Sequence, residues 1–141
     1  MNVRPLTPDD AEAIAGWRYE GRYSTYDVDA IVTPEDAYWA VEEDGELVGY
    51  SCYGECARVP GFEEAEGVLD VGYSLRPDLV GRGRGPELIS TVLDHAAREF
   101  APRTVRILVL RWNERSRRAA EKVGFRVVGE HGEFDVLTRE A

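Results

Sequence analysis

A chain of 141 residues, 43% hydrophobic and 31% charged, has the composition of one globular domain with its own core and not of a disordered protein. The net charge of −10 argues against nonspecific binding to nucleic acid or to an anionic membrane surface. No apolar run approaches the length of a membrane span, and the N-terminus lacks the basic-then-apolar pattern of a secretory signal.

The two cysteines, Cys52 and Cys56, lie four positions apart in a predicted strand and its end. An extended chain separates them too far for an easy disulfide, and no neighbouring His or Cys completes a metal site. We therefore expect reduced thiols, no bound metal and a cytoplasmic location.

The N-terminal region is predicted to form a strand followed by a capped helix. Asn2–Leu6 is the strand, Thr7 suits the N-cap, and Pro8 suits the first helical position. Two aspartates follow and complement the helix dipole, so the helix is expected to run to about Arg18. The aromatic stretch Tyr19–Val32 is irregular, with room for a short second helix.

The middle of the chain predicts a hairpin and a further strand. Tyr38–Glu43 and Glu46–Gly54 flank Asp44-Gly45, a strong signal for a tight hairpin turn. A loop is expected over Cys56–Glu66, and Val68–Leu75 is the fourth strand.

The C-terminal half alternates helices and strands. Gly85–Phe100 has apolar residues at helical spacing and is predicted to be a helix. Arg103–Arg111 is predicted to be a strand with an apolar centre. Glu114–Val123 is predicted to be a helix that ends at Gly124, which suits a left-handed cap. Phe125–Glu130 and Phe134–Thr138 close the chain as a hairpin. The apolar face of the first helix comprises Leu88, Ile89, Val92, Leu93, Ala96 and Ala97.

A glycine- and arginine-rich loop joins the fourth strand to the following helix. Gly81, Gly83 and Gly85 leave backbone N–H groups unobstructed at the point where the helix dipole is positive. Arg82 and Arg84 alternate with them and can add charge-assisted hydrogen bonds. The loop therefore predicts an anion site, and the expected anion is a phosphate.

Two familiar phosphate motifs do not fit this loop. It contains no lysine, so it lacks the Gly-Lys-Ser/Thr ending of a P-loop. Gly81 and Gly83 match the start of the dinucleotide fingerprint, but Pro86 stands at its third glycine position.

The chain instead resembles the GNAT family of N-acetyltransferases. The strand ending Leu-x-Pro, followed by Gly-x-Gly-x-Gly and a helix, is similar to that family's coenzyme A loop. Downstream, Trp112-Asn-Glu-Arg-Ser-Arg-Arg-Ala-Ala-Glu-Lys-Val-Gly-Phe125 resembles the family's Asn-x-x-Ser/Ala…Glu-Lys-x-Gly-Phe segment, and Val3–Asp10 looks like its first strand and helix cap. The two downstream motifs cover roughly residues 67–129.

The resemblance implies an α/β fold over residues 1–141, a single GNAT-like domain. Its central sheet is mixed and mostly antiparallel, with a splay between strands 4 and 5 and helices on both faces. It also implies acetyl-CoA as cosubstrate. The order of predicted elements agrees with that topology.

Coenzyme contacts are likewise implied by the resemblance. The pantetheine arm is expected to pair with the fourth strand near Tyr73 and Leu75, and Gly72 is a candidate bulge at the splay. A backbone N–H freed there could bind the developing oxyanion. The pyrophosphate is expected on the amides of Val80, Gly81, Arg82, Gly83, Arg84 and Gly85. Asn113 is expected to contact the coenzyme and is also a helix N-cap candidate. Arg117 and Arg118, one turn further, are expected to reach its phosphates.

The catalytic acid and base are less defined. Many family members carry a tyrosine seven residues after the motif asparagine, where this chain has Ala120. Tyr73 is therefore a candidate acid, beside Tyr23, Tyr26, water or an unaided thiolate. Asp70 on the fourth strand is the first candidate for the base. The alternatives are water and the loop carboxylates Glu20, Glu55 and Glu63.

The resemblance predicts acetyl transfer to a primary amine by direct attack on the thioester. The alternative is a noncatalytic acyl-CoA-binding sensor or interaction module. The expected partner is a small-molecule or peptide amine, without nucleic acid or membrane, and a homodimer is left open. Residues 76–84 and 103–118 hold nine of the 17 basic residues, so the remainder is strongly acidic. That acidity fits a cationic substrate or a need for solubility equally well.

Overall fold

The computed structural model describes residues 1–28 and 38–141. In chain order the strands are β1 Asn2–Pro5, β2 Tyr38–Glu43, β3 Glu46–Tyr53, β4 Val68–Leu75, β5 Thr104–Leu110, β6 Arg126–His131 and β7 Phe134–Glu140. The helices are α1 Pro8–Ala15, α2 Gly85–Phe100 and α3 Glu114–Lys122, and short 3-10 helices form at Gly21–Tyr26, Gly54–Ala57 and Pro77–Leu79. No helix in the described ranges is long and apolar enough to cross a membrane.

The seven strands form one mixed sheet in the order β1-β2-β3-β4-β5-β7-β6. Every neighbouring pair is antiparallel except β4 and β5, which are parallel. The connection between those two strands contains α2, as a parallel crossover requires. The predicted mixed and mostly antiparallel sheet is confirmed.

Helices cover both faces of the sheet. The larger buried cluster joins one face to α2, whose Leu88, Ile89 and Val92 are at most 2% exposed. A smaller cluster on the other face centres on Ile14 of α1, which is fully buried against Ala40. The predicted arrangement of helices on both faces is therefore confirmed.

The predicted helix ends hold with small shifts. Thr7 caps α1 through a reciprocal pair of hydrogen bonds with Asp10, of 3.1 and 2.9 Å. Helix α1 ends at Ala15 and not near Arg18, because Gly16 follows and closes the last turn. The short second helix is the 3-10 helix Gly21–Tyr26. The end of the predicted Tyr19–Val32 stretch lies outside the described residues.

Strands β4 and β5 pair over only three residues. The register runs from Val68 opposite Thr104 to Asp70 opposite Arg106 and then stops, although both strands continue. The two strands therefore diverge beyond Asp70 and leave a gap in the middle of the sheet. The predicted splay is confirmed.

A buried ion cluster closes the paired end of this gap. Asp70 is 3% exposed, and both of its carboxylate oxygens accept hydrogen bonds from arginines. Arg106 on β5 donates at 2.7 and 3.0 Å, and Arg58 on the preceding loop donates at 2.9 Å. Arg106 also donates to the carbonyl of Glu63, at 2.9 Å. The cluster joins β4, β5 and the loop between β3 and β4.

Gly72 is not a bulge, and that expectation was wrong. The β3–β4 register runs without interruption from Gly49 opposite Leu75 to Tyr53 opposite Val71. Glycine is required there for another reason: a Cβ at Gly72 would lie 2.9 Å from the sulfur of Cys52. The gap arises from the end of β4–β5 pairing and not from an extra residue in β4.

We predict that Asp70→Asn lowers the free energy of unfolding by about 3 kcal/mol, because two arginines lose the charge that neutralises them in a buried site. Urea denaturation measures this. Asp78→Asn is the matched control, since Asp78 pairs with Arg76 but its side chain is 61% exposed, and little change is expected. Equal stability of the Asp70→Asn variant and the parent protein would contradict a structural role for the cluster.

Candidate active site

The gap between β4 and β5 presents main-chain hydrogen-bonding groups of β4. The N–H of Arg76 donates to the carbonyl of Val48 on β3 at 2.8 Å, so the main-chain groups of Arg76 face β3. Main-chain groups alternate in direction along a strand, so those of Tyr73 and Leu75 point away from β3 and into the gap. These are the two positions at which the sequence predicted an added extended ligand. The hydroxyl of Tyr19 already donates to the carbonyl of Leu75.

The glycine loop leads from β4 into the N-terminus of α2. Gly81 and Gly83 have φ values of 80° and 75°, which other residues adopt only with strain. Arg84 is the N-cap of α2 but provides no side-chain capping bond. The first N–H groups of α2 therefore lack the usual partner and are available to an anion.

A cleft of about 690 Å³ lies between this loop, the open end of β4 and helix α3. Of the predicted coenzyme contacts, eight line the cleft: Tyr73, Leu75, Val80, Gly81, Gly83, Arg84, Gly85 and Asn113. Arg82 and Arg117 are not among its lining residues. The structure thus gathers residues from both sequence motifs around one cavity.

The predicted arginines have different partners. One Nη of Arg84 donates to both carboxylate oxygens of Glu43, at 2.8 and 2.7 Å, and to Glu87 at 2.6 Å. Arg84 therefore anchors the loop to the end of β2. Arg117 lies 3.7 Å from Glu114 and 3.8 Å from Glu121, along the surface of α3.

Other basic residues of α3 face the cleft, and of these Arg115 and Lys122 were not selected from the sequence. Arg115, Arg118 and Lys122 line it together with Ala119. The guanidinium of Arg115 stacks over the ring of Tyr23 at 4.2 Å. Spacings of three and four residues put these side chains on one helical face, and that periodicity is the sequence signal that could have found them.

Asn113 connects α3 to the aromatic segment. Its carbonyl oxygen accepts from the N–H of Ser116 at 3.1 Å, so it is the N-cap of α3. Its amide donates to the hydroxyl of Tyr26 at 2.9 Å, and Asn113 is only 5% exposed. Burial raises the pKa of the Tyr26 phenol above its usual value.

The aromatic residues Tyr19, Tyr23 and Tyr26 line the cleft, and Trp112 lines it with them. Tyr23 packs edge-on against Trp112 with ring centroids 5.1 Å apart. The hydroxyl of Tyr19 lies 2.8 Å from that of Ser74, and burial raises the pKa of Tyr19 to about 12. These aromatic side chains therefore form part of the cleft wall.

Tyr73 has a buried hydroxyl with no hydrogen-bond partner among the residues that the structure describes. Burial raises the pKa of this phenol, and the adjacent Ser116 side chain partly offsets that rise. Leaving a buried hydroxyl unpaired costs about 1–3 kcal/mol, so its presence calls for an explanation.

A second cavity, of about 230 Å³, adjoins the gap. It shares Tyr26, Tyr73 and Ser116 with the cleft, so these residues mark where the two cavities meet. Tyr38 and Tyr50 contribute to its wall, with ring centroids 5.6 Å apart.

Both cysteines line the second cavity. The 3-10 turn at Gly54–Ala57 folds the chain back, and the Cys56 thiol donates to the carbonyl of Tyr53 at 3.4 Å. The polar influence of Cys56, together with burial, raises the pKa of the Cys52 thiol, whereas the influence of Cys52 lowers the pKa of the Cys56 thiol. They are free thiols.

The carboxylates considered as the base lie elsewhere. Asp70 lines neither cavity, and both of its oxygens are bonded to arginines. Glu20, Glu55 and Glu63 are also absent from both linings. Glu114 is the one described carboxylate that lines the cleft, and it accepts from Arg118 at 2.8 Å. No carboxylate lines the second cavity, within the part of the chain that the structure describes.

Comparison with known proteins agrees with the fold and the cleft. A family model described as an acetyltransferase (GNAT) domain matches residues 1–126. The search of curated proteins finds no match. Among solved structures, the aminoglycoside acetyltransferase AAC(6')-Ib in complex with coenzyme A has a TM-score of 0.79 at 18% identity, covering 99% of this chain and 94% of that one. The Campylobacter jejuni N-acetyltransferase PseH has a TM-score of 0.70 at 15% identity, covering 99% and 96%.

The chain belongs to the GNAT acetyltransferase family, because the family model matches most of its length. It is an N-acetyltransferase by that membership. The family predicted from the two sequence motifs is confirmed. The structural neighbours are under 25% identical, and they show the shared fold.

Proposed function

We propose that this protein transfers the acetyl group of acetyl-CoA to a primary amine by direct attack on the thioester. The observation that carries the proposal is the gap beside Tyr73, where the cleft and the second cavity meet. One cavity can hold the coenzyme and the other the amine, with the reacting groups at the gap. Structural neighbours described with coenzyme A or acetyl-CoA support the choice of cosubstrate.

The cleft fits a coenzyme with an extended arm and a pyrophosphate. The turned-out main-chain groups of Tyr73 and Leu75 suit amide pairing with pantetheine. The uncapped start of α2 and the glycine loop suit the pyrophosphate, and Arg115 and Lys122 add positive charge. Arg82 and Arg117, which the sequence included, lie outside this cavity.

The reaction needs few groups from the protein. The amine nitrogen forms a bond to the thioester carbon, the carbon–sulfur bond breaks, the nitrogen releases one proton to water, and the sulfur takes a proton. A main-chain N–H in the gap, at Tyr73 or Leu75, is oriented to stabilise negative charge on the carbonyl oxygen. The Tyr73 hydroxyl donates a proton or a hydrogen bond to the sulfur. Its raised pKa keeps it protonated at neutral pH.

No protein base is assigned in this proposal. The amine enters as its free base, or loses its proton to water, because no described carboxylate lines the second cavity. Asp70 is assigned to holding the end of the gap, in place of the catalytic role that its position on β4 suggested. The distinction is measurable: a folded Asp70→Asn variant should keep most of kcat.

We expect acetyl-CoA to raise the melting temperature and amine-dependent release of coenzyme A thiol to follow. At a hundredfold excess over Kd the stabilisation is about 2.7 kcal/mol. Binding without release for any amine would favour the noncatalytic sensor. A shift with NAD or ATP but none with acetyl-CoA would contradict the proposal.

Gly83→Val should weaken acetyl-CoA binding while the protein stays folded. A branched residue is strained at φ 75°, yet an added Cβ there meets no atom within 4 Å. Gly85 suits this test less well, since a Cβ there would lie 3.0 Å from that of Ala119 and would disturb helix packing. Unchanged affinity in Gly83→Val would show that the loop is only a structural turn.

Arg115→Ala and Arg117→Ala form a matched pair on α3. Loss of Arg115, which lines the cleft, should weaken acetyl-CoA binding about fivefold, or about 1 kcal/mol, and less at high salt. Loss of Arg117 should change the affinity little, because its partners are Glu114 and Glu121. Isothermal titration calorimetry measures the acetyl-CoA affinity of both variants. A larger loss of affinity in Arg117→Ala than in Arg115→Ala would support the Arg117 contact expected from the sequence.

Tyr73→Phe should lower kcat about 10²-fold and leave acetyl-CoA affinity unchanged, because only the proton donor is removed. Stability should not fall, since the lost hydroxyl has no partner among the described residues. Tyr53→Phe is the control: its hydroxyl lies 2.9 Å from Nδ1 of His95, so stability should drop by about 1 kcal/mol with kcat unchanged. Wild-type kcat in Tyr73→Phe would remove Tyr73 from the mechanism.

A further inference from the structure

The second cavity has a lining that differs from what a polycationic substrate needs. Its described wall is formed by aromatic and apolar side chains, two thiols and, where it meets the cleft, the side chain of Ser116, and no charged side chain belongs to it. The residues that shape it on the side away from the cleft are Tyr38, Tyr50, Cys52, Ala57, Leu108 and Phe134. Such a wall binds an apolar body through ring packing and burial of surface.

The ion cluster around Asp70 also disfavours a cationic ligand in the second cavity. Arg58 lies between Ala57 and Val59, which both line the cavity, and Asp70 directly precedes Val71, which also lines it. Arg58, Arg106 and Asp70 together carry a net charge of +1, and their hydrogen bonds are made to one another and to the loop backbone. An ammonium group in the cavity would therefore meet no carboxylate from the described lining, and the neighbouring cluster is net positive. Burying an unpaired charge in that way costs several kcal/mol.

Size limits the acceptor as well. The cavity volume of about 230 Å³ lies below the 300–1,000 Å³ typical of pockets for drug-sized ligands. An aminoglycoside, with several sugar rings and several ammonium groups, exceeds this space and lacks acidic partners in it. The kanamycin and ribostamycin named for structural neighbours are therefore poor guides to this site.

We propose that the acceptor is a compact primary amine with an aromatic or branched aliphatic body, which the second cavity binds with its nitrogen at the Tyr73 end. This identity rests on the proposed acetyl transfer. The amine reacts as its free base, so kcat/KM rises with pH up to the pKa of the amine. The apolar wall, and not a carboxylate, selects the substrate.

The test is coenzyme A thiol release with phenethylamine and isoamylamine, compared with kanamycin and spermidine. We expect kcat/KM for the two apolar amines to exceed that of the polycations at least about tenfold, the effect of ~1.4 kcal/mol of differential binding. Equal or faster turnover of kanamycin or spermidine would overturn the inference and leave the proposed acetyl transfer intact.

A filling variant locates the amine. Ala57→Leu should raise KM for phenethylamine about tenfold and leave the acetyl-CoA thermal shift unchanged, because Ala57 lines only the second cavity. Glu64→Leu adds the same side chain at an exposed position of the same loop and should change neither quantity. An unchanged KM in a folded Ala57→Leu variant would contradict this placement of the amine.

Calorimetry with phenethylamine separates the inference from the proposed function. Its binding to protein saturated with coenzyme A, without turnover of any amine, would support the cavity's selectivity and reject the acetyl transfer. Absence of phenethylamine binding would overturn the inference even if another amine were acetylated. If coenzyme A does not bind, phenethylamine is titrated into the free protein instead. Binding there supports the inference, and absence of binding overturns it.

Discussion

The buried carboxylate of Asp70 determines where the sheet opens. It holds Arg106 at the last paired position of β4 and β5, and it holds Arg58 on the loop that forms one wall of the second cavity. One side chain therefore fixes both the end of strand pairing and the position of that wall. A parallel pair that ends inside a sheet would otherwise leave main-chain groups without partners, which makes the opening costly unless something else binds there. In the proposed function, the coenzyme supplies partners for these main-chain groups.

The cleft and the second cavity differ in the charge of their linings, although the chain as a whole is strongly acidic. The basic residues of α3 surround a glycine loop and an uncapped helix N-terminus, so the cleft attracts phosphate although the net charge is −10. The second cavity has no charged residue in its described lining and lies beside a net positive cluster. Among the described residues, Glu114 is the one acidic side chain that lines either cavity. Of the two explanations for the acidity of the remaining chain, solubility needs no further assumption.

Local features were predictable from the sequence, and tertiary environments were not. The caps at Thr7 and Asn113 and the glycine loop depend on neighbours a few residues away, so pattern alone identified them. The face of α3 that meets the cleft depends on packing against α2, so the sequence does not show that Arg115 lines the cleft and Arg117 does not. The position of Asp70 on β4 suggests a base, but its two arginine partners come from a distant loop and from β5 and are not visible in the local sequence.

The alanine at the family's usual tyrosine position is consistent with Tyr73 as the acid. Ala120 is fully buried in the larger core cluster, and the ring of Tyr73 packs against that same cluster. A tyrosine at position 120 would need volume in a core packed at crystal-like density, and overpacking costs about 1–3 kcal/mol. The hydroxyl then reaches the gap from the strand, and its lack of a described partner is explained if the sulfur of the coenzyme is that partner.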